Sequence, residues 1–182
     1  MSKFYKQITP TLRSFIEAQK LFFTASAPKD GRINLSPKGI DSFRVLDKKT
    51  VGYLDLTGSG NETAGHLREN GRLTIMMCSF EGEPLILRLY GQGEVVSTHD
   101  PQWETLSPQF PELPGERQII LLHVESLQTS CGYGVPEYDY VGDREKLLTW
   151  AARKGEKGIA TYQTKNNLET IDGLPTGFIP KP

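Results

Sequence analysis

Ile33-Asn34-Leu35-Ser36-Pro37-Lys38-Gly39, Phe43-Arg44-Val45-Leu46 and Thr57-Gly58-Ser59-Gly60-Asn61-Glu62-Thr63 are the pieces that decide the fold, all inside the stretch from Ile33 to Val96. The stretch reads as a strand, a Ser-Pro-Lys-Gly loop, a strand pair, a glycine-rich turn, a short helix and a second strand pair. A glycine- and hydroxyl-rich turn that opens a helix offers free backbone N–H groups and the positive end of a helix dipole. Those groups seat a phosphate. The strands are short and antiparallel in pattern, unlike the parallel sheet of a dinucleotide fold. The order predicts a small β-barrel with a mononucleotide at its surface.

On the N-terminal side, residues 9–20 read as a helix. Thr9 can cap it, Pro10 suits its first turn, and Leu12, Phe15, Ile16 and Gln19 share a face. Residues 21–27 and 33–36 form a hairpin around Pro28-Lys29-Asp30-Gly31. Asn61 and Gly71 bracket the short helix as N-cap and C′ residue. Residues 73–80 and 85–96 form a long hairpin, whose Gly91 and Gly93 mark a barrel corner. Ile119-Ile120-Leu121-Leu122-His123-Val124 is apolar on both faces, which predicts a central strand over 117–127 and makes His123 a hydrogen-bonded core histidine. Residues 99–115 are irregular, with one helical turn near Trp103. Asp143 caps a helix that stops at Gly155, and a weaker helix covers 159–166. Six or more antiparallel strands with peripheral helices make a mostly β, α+β fold. The expected organisation is one domain over 1–182, with its core in about 10–130 and a helical extension over 131–182.

Composition narrows the function. A chain of 182 residues can bury a core without disulfides. A formal charge of −1, with no block of like charges, argues against a nucleic-acid partner. Two cysteines, Cys78 and Cys131, make no disulfide framework and favour a reducing compartment. No apolar run approaches the length of a membrane span, and Met1-Ser2-Lys3-Phe4-Tyr5-Lys6-Gln7 has no hydrophobic signal core, so the expected location is cytoplasmic, away from membranes. Two cysteines and three histidines lack metal-ligand spacing.

Ile33 to Gly39, Phe43 to Leu46, Gly58 to Ala64, Leu67 to Asn70 and the arm Leu87-Arg88-Leu89-Tyr90-Gly91-Gln92-Gly93 together resemble the pyridoxamine 5'-phosphate oxidase-like flavoproteins over residues 10–130. The resemblance implies a six-stranded antiparallel split β-barrel, a homodimer, and FMN in a groove at the dimer interface; some members of the family use a deazaflavin or haem instead. It places flavin-ring and phosphate contacts on Arg44, Val45 and Leu46, and phosphate contacts on Ser59, Asn61 and Thr63. The chain departs from the vitamin B6 oxidase itself. Asn61-Glu62-Thr63 replaces a Ser-Arg-Lys cluster, so two phosphate-binding cations are missing, and the end Gly177-Phe178-Ile179-Pro180-Lys181-Pro182 carries no arginine. The related FMN-binding subgroup fits better.

Several residues keep two readings. Ser36 and Lys38 lie on the loop beside the expected groove, where Lys38 is either a ligand contact or a solvated lysine. Arg44 needs an anionic ligand or a carboxylate such as Asp55. Arg88 either faces FMN or pairs with Glu94 across a bend. Ser59, Asn61 and Thr63 suit helix capping and phosphate binding alike, since both use the same donors. Cys131 has no identifiable base beside it. His66 is the only candidate axial ligand for a haem. No residue declares itself a general acid or base. The functional expectation is therefore an FMN-dependent oxidoreductase, with a small organic substrate or a nicotinamide donor in the groove. The rivals are a flavin- or haem-carrying module without turnover, or an empty barrel that only dimerises.

Overall fold

A computed structural model describes residues 2–180; Met1, Lys181 and Pro182, parts of the terminal stretches considered above, lie outside the described residues. Among them, eight strands form one antiparallel sheet, two more than the six expected. They are β1 (Lys3–Tyr5), β2 (Phe22–Ser26), β3 (Asn34–Lys38), β4 (Phe43–Val45), β5 (Thr50–Leu56), β6 (Arg72–Cys78), β7 (Ile86–Ser97) and β8 (Glu116–Ser130). The order is β3-β2-β6-β7-β8-β5-β4, with β1 paired to the far end of β8. The sheet curls so that Lys38, at the end of edge strand β3, reaches Asp55 on β5 near the other edge. That closure makes it a split barrel with an opening at the Asp55 end.

Alternation decides which side chains fill it. Val51 and Tyr53 of β5, Ile75 and Met77 of β6, Leu87 and Leu89 of β7, and Ile120, Leu122 and Leu127 of β8 pack inside the barrel. Helix α1 (Pro10–Ala18) adds Leu12 and Ile16. Its N-cap is Thr9, whose hydroxyl accepts the Leu12 N–H, and Pro10 opens the first turn. On the opposite face, Leu54, Val96, Ile119 and Leu121 pack under Phe110, Trp103 and Leu106, supplied by α3 (Pro101–Leu106) and the segment after it. The central place of β8 follows from this double-faced apolarity. His123 departs from expectation: it shares the Ile119–Leu121 face but lies beyond the α3 cover, so it is exposed and pairs with Glu94 at 2.8 Å.

Gly91 marks the corner predicted for it. The β7–β8 register shifts between Tyr90 and Gly91, and a methyl on Gly91 would drive into the backbone carbonyl of His123. Neither strand can yield there without breaking the ladder. Gly91→Ala is expected to cost about 3 kcal/mol, measurable as a lower urea midpoint at an unchanged m-value.

Helix α2 (Glu62–Asn70) caps the open end of the barrel, with Thr63, Ala64, Gly65, His66 and Leu67 buried. Helix α4 (Lys146–Asn166) is one run interrupted at Gly155, whose φ of 63° and ψ of 174° are non-helical. The two predicted helices are thus two halves of a broken one. The chain then returns over the start of α2: Thr170 Cγ2 packs so close to Gly65 that no Cβ fits there. No described helix is long and apolar enough to cross a membrane.

Candidate functional site

A groove of about 730 Å³ opens where α2 meets the barrel end. Its walls are β3 (Asn34, Ser36, Lys38), the end of β5, the Gly58–Asn61 turn, the first turn of α2 and the segment after α4 (Glu169, Ile171). Five of the residues singled out from sequence converge on it: Ser36, Lys38, Ser59, Asn61 and Thr63. Ser36 Oγ donates to Asn34 Oδ1, and Asn34 Nδ2 donates to Thr63 Oγ1, tying β3 to the helix start.

The floor is a buried charge cluster. Asp55, only 3 % exposed, accepts Lys38 Nζ at 2.8 Å on one oxygen. Its other oxygen accepts Arg117 Nη2 at 2.6 Å, Arg117 Nε at 3.2 Å and Gln118 Nε2 at 2.9 Å. Burial alone would raise the Asp55 pKa, but the Arg117 and Lys38 charges, with their hydrogen bonds, outweigh it and hold the carboxyl well below the usual carboxylate range. Arg117 Nη1 continues to the Gly60 carbonyl at 3.0 Å, so the same guanidinium fixes the glycine-rich turn.

That turn is held from beneath as well. Gln118 Nε2 donates to Asn61 Oδ1 at 2.8 Å, and Asn167 Nδ2 donates to the Gly58 carbonyl at 3.1 Å. Asn61 occupies the N-cap position of α2, yet its side chain caps nothing. Its oxygen, which would ordinarily accept a first-turn N–H, is drawn down to Gln118. The first amides of α2 therefore have neither an intrahelical acceptor nor a cap from Asn61, and the residues that open the helix, Glu62 and Thr63, line the groove. Glu62, of the wrong sign for an anion seat, turns its carboxylate to the Ile171 N–H at 3.1 Å.

Arg44, Val45, Leu46 and Arg88 stand elsewhere in this chain. Arg44 donates to Asp41 Oδ1 at 2.9 Å and to the Gln109 carbonyl at 2.7 Å, and its guanidinium lies 5.7 Å from the centre of the Phe110 ring. Asp41, with φ 47°, follows Ile40 at φ 61°, a left-handed pair that re-aims the chain after Lys38. Val45 is in the barrel core and Leu46 packs on the second apolar cluster. Arg88 hydrogen-bonds Ser130 Oγ at 3.4 Å, while Glu94 pairs with His123. Among the described residues, β3 and not β4 lines the groove beside the glycine-rich turn. Arg44→Ala is accordingly expected to lower stability and leave the ratio of FMN to riboflavin affinity unchanged, as parallel titrations of the two flavins would show.

Sequence reasoning misses Arg117, Gln118 and Asn167, and meets Asp55 only as a partner for Arg44. An arginine and glutamine opening an otherwise apolar strand, Arg117-Gln118-Ile119-Ile120, are the signal that could have found the cluster. His66 is buried, with Nδ1 3.0 Å from Ser26 Oγ, and does not present its ring to the groove. Cys131 is exposed beyond the end of β8. No group of three or more His, Cys, Asp or Glu side chains among the described residues could hold a metal.

Residues 8–131 match a family model described as pyridoxamine 5'-phosphate oxidase. A curated relative, the pyridoxamine 5'-phosphate oxidase family protein ustO of Aspergillus flavus, is 40% identical over 195 residues, which cover 96% of this chain and 78% of that protein. Among solved structures, HupZ from Group A Streptococcus superposes with a TM-score of 0.53 at 24% identity, covering 66% of this chain and 91% of that one. A candidate pyridoxamine 5'-phosphate oxidase from Lactobacillus delbrueckii gives 0.53 at 20% identity, covering 68% and 94%. At these identities the structural matches speak for the fold.

Proposed function

The chain belongs to the pyridoxamine 5'-phosphate oxidase family, and from that premise we propose that it binds FMN in the groove, phosphate at the start of α2, and works as a flavin-dependent oxidoreductase on a small molecule other than the vitamin B6 phosphate. The uncapped helix N-terminus carries the reading: the residue placed to cap it points away from it. A phosphate there would accept from the first-turn amides, with Ser59 and Thr63 hydroxyls and Lys38 in the same groove. The apolar ring system would lie along Ile33 and Ile171, exposed apolar side chains that line the groove. Few cations serve the phosphate, since Arg117 is committed to Asp55 and Gly60, and Arg32 to Asp172.

When bound, the flavin supplies the hydride chemistry. The protein's part is orientation and electrostatics. Arg117 and Gln118 fix the turn, Asp55 holds Lys38 by the floor, and the segment after α4 walls the groove from bulk water. Hydride transfer to or from the flavin does not require a general acid or base. A second copy of the chain would complete the cover over the exposed Ile33 and Leu35 of the β3 edge, consistent with a homodimer whose reductant or substrate enters between subunits. The cytoplasm is the proposed location.

The absorption spectrum of the purified protein tests this. Flavin bands are expected, with FMN released on denaturation and identified by mass, and anaerobic addition of NADPH or a small-molecule reductant bleaching the bound flavin. A haem Soret band, or FMN binding without any reduction, would remove the cofactor or the catalytic half of the proposal respectively.

A further inference from the structure

We propose that a second cavity, between the start of β8 and α4, is a small-molecule site for an apolar ligand bearing an ammonium group. It is separate from the flavin groove and stands whatever that groove holds. Its volume, about 1010 Å³, is at the upper end of ligand pockets. Leu54, Trp103, Phe110, Ile159 and Phe178 give it apolar walls.

The space is built by the break in α4. At Gly155 the helix leaves its path, and around the break the cavity is lined by Gly155 itself and the methyl groups of Ala151, Ala152 and Ala160, beside Glu156, Ile159 and Gln163. Larger side chains at these points would fill it. The charge is one-sided. Among the described residues, the only cation in the lining is Arg117, and it is spent on Asp55 and the Gly60 carbonyl. The other charged lining residues are Glu112, Glu116 and Glu156. Glu112 and Glu156 are exposed and make no ion pair among the described residues. Lys154, next to the break, lies instead over the rings of Trp150 and Tyr162, at 5.4 and 5.5 Å. An apolar pocket with a carboxylate rim and no available cation selects a hydrophobic cation over its neutral or anionic analogue.

Trp103 provides the readout, since the only other tryptophan is Trp150. In the full-length Trp150→Phe protein, n-octylammonium, n-octanol and n-octanoate are titrated against tryptophan emission. A saturable change is expected for octylammonium, about threefold to tenfold tighter than for octanol, with octanoate weakest. Glu112→Gln with Glu156→Gln, both at exposed positions, should bring octylammonium to the level of octanol and leave octanol unchanged. Ala152→Phe, also exposed, should abolish binding of all three while the circular dichroism spectrum stays native. Absence of saturable binding, octanoate binding as tightly as octylammonium, or indifference to the glutamine pair or to Ala152→Phe would each overturn the assignment.

Discussion

Arg117→Ala should destabilise the protein by about 3 kcal/mol or more, a large part of the roughly 5–15 kcal/mol typical of a folded domain. The guanidinium is 3 % exposed and makes two bonds to Asp55 and one to the Gly60 carbonyl. Its removal leaves a carboxylate buried with only Lys38 and Gln118, and frees the turn that starts α2. Chemical denaturation at pH 7 would read the loss; a change within about 0.5 kcal/mol, the range of ordinary surface substitutions, would show that the cluster does not anchor the barrel end. The same carboxylate sets an acid limit. The folded-state pKa of Asp55 lies below the roughly 3.9 of an unfolded chain. The stability it contributes is thus fully present above about pH 4 and is lost as the pH falls below that toward the folded value. Asp55→Asn should be less stable at neutral pH and show a shallower fall below pH 4 than the native protein.

A comparable effect is expected on the ligand. Ser59→Asp puts a carboxylate on the turn that faces the groove, at an exposed position where it need not disturb the core. It should weaken FMN about tenfold to thirtyfold, through repulsion of the phosphate and competition for the helix amides. Riboflavin, which has no phosphate, should bind the variant and the native protein alike. Isothermal titration of both flavins separates the cases: equal losses would mean that the turn meets the ring or ribityl chain, and no loss for either would place the flavin elsewhere.

What the sequence reveals of this design is local. The glycine-rich turn, the helix that follows and Gly71 as its left-handed terminator are fixed by neighbours in the chain, and each stands where its residues predict. The central place of β8 is legible because a strand covered on both faces must be apolar at both parities, as Ile119 to Leu122 are. What stays hidden depends on closure of the barrel. Lys38 and Asp55 meet because a curled sheet brings β3 against β5, and nothing in the two segments taken alone says so. The same blindness sets the ligand contacts on Arg44 to Leu46, whereas in space the groove beside the glycine-rich turn is walled by β3. His123 fails differently. Its neighbours are read correctly as buried, but where the α3 cover ends on that face is a tertiary fact.

The proposed function turns on the first amides of α2, left uncapped by Asn61, receiving the phosphate of a flavin mononucleotide. Backbone amide shifts of the 15N-labelled protein report on this without an intermediary. FMN should move the resonances of Ser59 through Ala64 and riboflavin should leave them in place, while both flavins perturb residues of β3. Equal shifts from the two flavins, or none in that turn at saturating FMN, would refute it.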